Sequence, residues 1–271
     1  MSSSMLRFCL TLALIFAFHP PTPASAVTSS ANANPASVSI AAAANLIYVL
    51  EALNPAFRAA HPEITVTTAL GASGTFVAQI KNGAPYDVFL SADLDYPRAL
   101  IAAGQADAPT LTPFANGRLV LWTTRADLPL TDLAATLRDP AVKKLALAQP
   151  ATAPYGRAAQ ETLAQLNLGR AAQPKIVFGE NIAQTAQFIE SGHADAGFVA
   201  LSLVLAPTLK NRGRWLEVPA TLYAPLTQGA ILTTRGAANP AALRYLAFLQ
   251  SASARTILAR FGYAPPTPAT P

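Results

Sequence analysis

The fold of this chain is decided by residues 68–93, TALGASGTFVAQIKNGAPYDVFLSAD. The first letters end an alternating strand pattern, and a glycine-flanked serine, Ser73, follows. A helical run then reaches Gly83, a residue type that commonly ends helices, and the apolar run 86–92 predicts a buried strand. A strand, a helix and a second strand in this order are typical of a parallel α/β unit.

The same alternation of strands and helices extends in both directions from this stretch. Apolar residues at Leu46, Val49, Leu50, Leu53 and Phe57 fall on one face of a helix. Further strands are predicted at 37–43, 114–124, 145–150, 175–180, 195–201, 214–219 and 229–234. Further helices are predicted at 96–104, 157–169, 182–192 and 240–261. The pattern therefore predicts an α/β protein with parallel sheets.

The first 26 residues have the features of a cleavable secretory signal. Arg7 precedes the apolar run 8–18, and small residues at Ala24 and Ala26 form the cleavage pattern. No later segment reaches the roughly 20 apolar residues of a transmembrane helix. Cys9, the one cysteine of the chain, lies inside the signal, so the mature chain has no disulfide and no thiolate site. We expect an exported, periplasmic protein.

The charge of the mature chain is small and dispersed. Loss of Arg7 leaves 18 Lys and Arg (19 − 1) against 14 Asp and Glu, a net charge of +4. Without a basic stripe, this composition argues against nucleic-acid binding. A weak positive field favours the approach of a small anion.

Four predicted strand-to-helix junctions carry polar or small uncharged residues. Asn45 precedes one helix, Ser73 a second, Tyr155 a third, and Asn181 with Ile182 a fourth. Ligands of open α/β sheets collect at such junctions, and helix N-termini supply unpaired N–H groups to anions. Asn and Ser are also common helix caps without any binding role, so the pattern leaves both interpretations open.

Two other chemistries are weaker interpretations of the same residues. As a hydrolase nucleophile, Ser73 would need a histidine base, and the mature chain offers His61 and His193, each in a predicted loop. The sequence GASGT also departs from the G-x-S-x-G motif. Asp93 and Asp95 suit the start of a helix better than a metal site.

Four blocks of the sequence carry a family resemblance: SIAAAANL (39–46), GASGTFVAQIKNGAPYDVFLSAD (71–93), QPATAPYGRAAQETL (149–163) and GENIAQTAQFIESGHADAGFVALS (179–202). In this order they resemble the periplasmic molybdate-binding proteins (ModA type) of molybdate ABC transporters. The resemblance runs from about residue 38 to residue 262, and NGAPYDVFLSAD is its most distinctive part.

The resemblance implies a two-lobe periplasmic binding protein fold of type II. Each lobe would be a mainly parallel sheet flanked by helices, and two crossing strands, within FANGRLVLW and PLTQGAIL, would form the hinge. The expected boundaries are 1–26 for the signal peptide, 36–115 plus 229–271 for lobe I, and 116–228 for lobe II.

The resemblance further implies a binding protein and not an enzyme. The expected ligand is molybdate, with tungstate as a second, held by neutral donors; another oxyanion or a small carboxylate is the alternative. No cofactor and no metal site are implied, since molybdenum is bound only as the oxyanion. The implied partner is the membrane permease of an ABC importer, and the protein is expected to be a monomer.

The residues implied at the site come from the four junctions. The predicted ligand-binding residues are Asn45, Ser73, Tyr155 and Ile182, and the predicted supporting residues are Ala44, Gly74, Pro154 and Gly156. Some relatives have a tyrosine where this chain has Ala200, so a hydroxyl is missing on that side and Tyr155 is expected to supply one from the opposite wall.

Overall fold

A computed structural model of the chain describes residues 36–266. The predicted signal peptide lies outside these residues. Between residues 36 and 266, no helix is long and apolar enough to cross a membrane.

The described chain forms two five-stranded mixed sheets. The first has the order β2-β1-β3-β10-β4, in which β1, β2 and β3 are parallel and β10 is antiparallel to β3 and β4. Its strands are β1 (Ala36–Ala43), β2 (Ile64–Gly71), β3 (Val88–Ser91), β4 (Thr112–Gly117) and β10 (Leu226–Leu232). We call this sheet and the helices packed on it the first lobe.

The second sheet repeats the same plan. Its order is β7-β6-β8-β5-β9, with β6, β7 and β8 parallel and β5 antiparallel to β8 and β9. Its strands are β5 (Leu119–Thr123), β6 (Leu145–Ala148), β7 (Ile176–Gly179), β8 (Ala196–Ala200) and β9 (Arg214–Glu217). This sheet and its helices form the second lobe. In each sheet four strands therefore run in one direction, and one strand, β10 in the first sheet and β5 in the second, runs in the other.

Helices follow most of the parallel strands. Those of the first lobe are α1 (Ile47–Ala60), α2 (Ser73–Lys81), α3 (Asp95–Ala102), α9 (Thr234–Ala237), α10 (Pro240–Leu249) and α11 (Ala252–Arg260). Those of the second lobe are α4 (Leu133–Arg138), α5 (Pro154–Gln165), α6 (Gly169–Ala172), α7 (Ile182–Glu190) and α8 (Leu201–Val204). A short 3-10 turn, Ala44–Leu46, joins β1 to α1.

Burial follows the predicted periodicity. On α1, Val49, Leu50, Leu53 and Phe57 are buried, as the spacing predicts for one apolar face. The inner strands are mostly apolar because helices cover both faces of a sheet of this type. Every residue of β3, β5, β6 and β8 is buried accordingly.

The segment NGAPYD connects α2 to β3 and anchors both. Gly83 has a φ of 85°, and its N–H and that of Ala84 donate to the Ile80 and Gln79 carbonyls, the Schellman arrangement that ends a helix. Asp87 then holds the strand: its buried carboxylate accepts the Ser39 N–H at 2.8 Å and the guanidinium Nε of Arg235 at 3.1 Å.

Two predicted elements are each divided in the structure. Residues 114–124, predicted as one strand, form the end of β4 in the first sheet and β5 in the second, with the chain changing sheets at Arg118. The predicted helix 240–261 is broken between α10 and α11, because Ser251 caps the start of α11: its Oγ accepts the Ala254 N–H at 3.1 Å.

The chain passes between the sheets at two neighbouring places. The first passage lies between β4 and β5, and the second lies between β9 and β10. They are adjacent because β4 pairs with β10, with Leu226 opposite Gly117 and a register shift between Gln228 and Gly229. The predicted lobe boundaries remain predictions.

Candidate functional site

The four predicted junctions meet at one small cavity. The turn after β1, the start of α2, the start of α5 and the start of α7 all contribute to its wall, so both lobes line it. The space inside it, part of which is open to solvent, is about 190 Å³. Its lining residues are Ala43, Ala44, Asn45, Gly71, Ala72, Ser73, Ala92, Ala153, Pro154, Tyr155 and Ile182.

Six of the eight predicted site residues belong to this lining. The two that do not are Gly74 and Gly156, whose N–H groups donate elsewhere, to the carbonyls of Thr152 and Ala153 at 2.9 Å each. The structure therefore brings the four predicted ligand-binding residues together, while their role as ligands remains a prediction.

Ser73 is the first residue of α2 and is buried. Its Oγ accepts the Ala92 N–H at 3.1 Å, an interaction that uses an oxygen lone pair and leaves the hydroxyl hydrogen available. The Ser73 N–H, in the first turn of the helix, has no intrahelical acceptor. This one residue can therefore present two donors to the cavity.

Asn45 is held by side chains remote in the sequence. Its Nδ2 donates to Gln228 Oε1 and Tyr263 Oη, at 2.7 Å each. The Gln228 amide is itself oriented because its Nε2 donates to the carbonyls of Ala92 and Leu226. The amide hydrogens of Asn45 are thus engaged inside the protein, and the donor left for the cavity is its backbone N–H at the start of the 3-10 turn.

Gln228, Tyr263 and Ser202 were not predicted as parts of the site. Ser202 Oγ donates to the Asn45 carbonyl at 2.8 Å, and Tyr263 Oη lies 3.2 Å from Ser202 Oγ. All three are buried and none lines the cavity, so they support Asn45 from behind. The one signal in the sequence is a glutamine inside the apolar strand pattern PLTQGAIL. Ala200, for which the resemblance implies a tyrosine in some relatives, is fully buried in β8.

Tyr155 is the second residue of α5, and the whole residue, including the ring, is buried. Its hydroxyl lies so close to Gly117 that a Cβ there would overlap it, and it has no hydrogen-bond partner within residues 36–266. Burial raises the pKa of Tyr155 well above its ordinary value, and the neighbouring Tyr263 and Tyr223 raise it further, so the hydroxyl stays neutral. Its backbone N–H is unpaired in the first helical turn.

Ile182 begins α7, and Asn181 is the cap of that helix. Asn181 Oδ1 accepts the N–H groups of Ala183 and Gln184, both at 3.0 Å. The Asn181 side chain therefore serves the helix and not the cavity. Ile182 lines the cavity, and its N–H is a further donor of this helix terminus.

The wall of the cavity is neutral. None of the lining residues that the structure describes is charged. The four predicted ligand-binding residues in this wall offer five donors, their backbone N–H groups and the Ser73 hydroxyl, and Asn45 Oδ1 is a buried acceptor without a partner among residues 36–266. Helix N-termini that converge in this way attract an anion through the N–H groups and the positive ends of the helix dipoles.

The alternative chemistries find no support in the described residues. His61 follows α1 and packs on the Phe57 ring at 4.8 Å, whereas His193 bonds to Ser191 Oγ at 2.8 Å. Neither histidine hydrogen-bonds to Ser73, so within residues 36–266 the serine has no base. In the same part of the chain, no three His, Cys, Asp or Glu side chains are arranged to hold a metal ion.

Comparison with known proteins agrees with this geometry. Residues 38–264 match the family described as "Bacterial extracellular solute-binding protein". The chain belongs to this family. Because such proteins bind solutes and do not catalyse reactions, the prediction that the chain is not an enzyme is confirmed.

Individual relatives of this solute-binding protein are similar over most of their length. It is 41% identical to the molybdate-binding protein ModA of Azotobacter vinelandii over 198 residues, which are 73% of this chain and 78% of the relative. It is 40% identical to ModA of Rhodobacter capsulatus over 199 residues, 73% of this chain and 77% of the relative. The resemblance to the molybdate-binding proteins is therefore confirmed.

A solved structure confirms the fold of this solute-binding protein. The periplasmic molybdate-binding protein of Azotobacter vinelandii superposes with a TM-score of 0.80 and 32% sequence identity, covering 85% of this chain and all of that one (100%). The predicted two-lobe periplasmic binding protein fold is confirmed, with the refinement that its sheets are mixed.

Proposed function

We propose that this protein captures molybdate, and also tungstate, in the cavity between its lobes and delivers it to the permease of an ABC importer. The observation that carries the proposal is the convergence of four helix or turn starts, two from each lobe, on one small neutral cavity. The ModA relatives with 40–41% identity support molybdate as the ligand.

The proposed binding mode uses the five donors of the cavity wall. They are the N–H groups of Asn45, Ser73, Tyr155 and Ile182 together with the Ser73 hydroxyl. A hydrogen bond to a charged group contributes about 1.5–3 kcal/mol. Five of them offset the lost hydration of a tetrahedral dianion without any buried cation.

Delivery rests on the change of shape that the ligand causes. Donors from both lobes meet the same anion, so the ligand binds the closed form better than an open one. A permease that contacts both lobes can distinguish the two forms. In this proposal residues 1–26 direct export, and the protein acts as a monomer in the periplasm.

Calorimetric titration of residues 27–271 with molybdate, tungstate, sulfate and phosphate tests the proposal. We expect molybdate and tungstate to bind with similar affinity, and sulfate at least about tenfold more weakly, because a smaller ion leaves donors out of reach in a cavity of fixed size. Sulfate binding as tight as molybdate binding would refute the specificity. Binding of a small carboxylate alone would assign the cavity to the alternative ligand class.

A further inference from the structure

Besides the Ser202–Asn45 hydrogen bond behind the cavity, three polar contacts between residues in or beside α2 and α3 and residues around the start of α5 join the two lobes. The Gly74 N–H donates to the Thr152 carbonyl at 2.9 Å, and the Tyr96 hydroxyl donates to the Ala151 carbonyl at 3.0 Å. The third contact is an ion pair between Asp93 and Arg157. We call these three contacts the interlobe clasp. In each of them the first residue named belongs to the first lobe and the second to the second lobe.

Groups of the first lobe hold the Asp93 carboxylate in position to pair with Arg157. The side chain is only 7% exposed. Its Oδ1 accepts the Tyr96 N–H at 3.1 Å and the Ser91 hydroxyl at 3.2 Å, while Oδ2 faces Arg157. Burial raises the pKa of Asp93 above its ordinary value, and the Tyr96 N–H and Arg157 oppose this rise. The carboxylate is therefore costly to leave without its cation.

The second lobe supplies that cation from the helix that lines the cavity. Arg157 follows Tyr155 and Gly156 in the first turns of α5, and its guanidinium carbon lies 5.3 Å from the centroid of the Tyr96 ring. Its side chain is 37% exposed, and it reaches Asp95 at a longer distance of 4.0 Å. Separation of the lobes would break the ion pair, the ring contact and both hydrogen bonds of the clasp together.

We propose that the clasp, and Arg157 in particular, sets the rate at which the bound oxyanion is released. This inference rests on the proposed function. Neither Asp93 nor Arg157 lines the cavity, so the pair makes no contact with the bound ligand. It forms when the lobes meet, and contacts made only in the closed state act on dissociation and not on association.

Arg157→Gln is the test variant, because Asp93 Oδ1 also accepts the Tyr96 N–H in the first turn of α3 and a replacement of Asp93 would disturb that helix. Stopped-flow mixing should show release of molybdate accelerated about tenfold or more, with the association rate changed less than twofold. Tyr96→Phe removes a second contact of the clasp and should accelerate release in the same direction. Arg244→Gln breaks the Arg244–Glu63 pair inside the first lobe and should change neither rate.

A second measurement follows the distance between the two lobes and needs no ligand. Since Cys9 lies in the predicted signal, residues 27–271 contain no cysteine, and the exposed Lys81 and Arg170 can be replaced by cysteine to carry one dye in each lobe. Arg157→Gln should lower the energy transfer between the dyes, whereas Arg244→Gln should not.

The outcomes separate the two proposals. An unchanged release rate in Arg157→Gln, or an equal effect of Arg244→Gln, would overturn the clasp and leave the oxyanion site intact. If the protein binds no oxyanion, the proposed function fails. The energy-transfer comparison then tests by itself whether the interlobe clasp holds the lobes together. Equal transfer in the wild type and Arg157→Gln would then overturn it, and lower transfer in the variant would support it.

Discussion

Ser73→Ala removes one hydroxyl from the wall of the cavity and leaves the backbone donor of the same residue in place. In the structure, Ser73 Oγ accepts the Ala92 N–H at 3.1 Å, so its hydrogen is available to a bound oxyanion. The residue is 1% exposed, and water has little access to take over the lost interaction.

The size of the effect follows from the charge of the ligand. A hydrogen bond to a charged group contributes about 1.5–3 kcal/mol, and about 1.4 kcal/mol corresponds to a tenfold change in Kd. We therefore expect the Kd for molybdate to rise about 10- to 150-fold. The substitution also leaves the buried Ala92 N–H without its acceptor, which should lower the free energy of unfolding by about 1–3 kcal/mol.

Two measurements on the same preparations separate these effects. Calorimetric titration with molybdate gives the affinity, and urea denaturation without ligand gives the free energy of unfolding. Thr75→Ala is the matched control, because it removes a hydroxyl from the same helix at an exposed position. The control should bind molybdate with wild-type affinity.

An affinity of folded Ser73→Ala within about threefold of the wild type would refute the reasoning, since a donor of this strength cannot be lost without a larger effect. An equal loss in Thr75→Ala would also refute it, because the effect would then belong to the helix and not to the serine hydroxyl.

Three further predictions concern stability. Gly117→Ala should lower the free energy of unfolding in urea by about 1–3 kcal/mol, because the Cβ of the alanine would overlap the Tyr155 hydroxyl. Adding Tyr155→Phe to the same chain should recover part of that loss. A double variant no more stable than Gly117→Ala would contradict the contact. Asp87→Asn should cost about 1.5–3 kcal/mol in the same assay, because the buried carboxylate accepts a backbone N–H and a guanidinium, and wild-type stability would contradict this. Burial raises the pKa of Asp195, but two backbone N–H groups and a guanidinium together lower it below its ordinary value. The ionised Asp195 therefore stabilises the fold fully above the unfolded-state pKa of about 3.9, and this stabilisation is lost as the pH falls through the folded-state pKa. The difference in free energy of unfolding between wild type and Asp195→Asn should accordingly shrink from pH 7 to pH 3. A constant difference would argue against the lowered pKa.

The sequence predicts those features that depend on neighbouring residues. The apolar face of α1 and the strand, helix and strand of residues 68–93 are local patterns, and the structure contains them. The division of residues 114–124 into β4 and β5 is not predicted from the sequence, because it depends on the different partner strands of the two halves. The division of residues 240–261 was missed because its apolar pattern continues through the break at Ser251.

In the candidate site, too, local patterns predict some features and contacts between distant residues determine others. Asn45, Ser73, Tyr155 and Ile182 were proposed from their positions at helix starts and from the family resemblance, and the structure places them around one cavity. The direction of the Asn45 amide was not predictable from these patterns. It depends on Gln228, 183 residues later in the chain, and on Tyr263, 218 residues later.

Sequence patterns alone therefore account for the α/β class, the order of the elements and the four donor junctions, because periodicity, caps and turns act over a few residues. The three-dimensional arrangement decides which donors remain available: it engages the Asn45 side chain with Gln228, places the Tyr155 hydroxyl against Gly117 and joins Asp93 to Arg157. These contacts form between segments far apart in the chain, so their geometry depends on how the two sheets pack and not on the residues beside them.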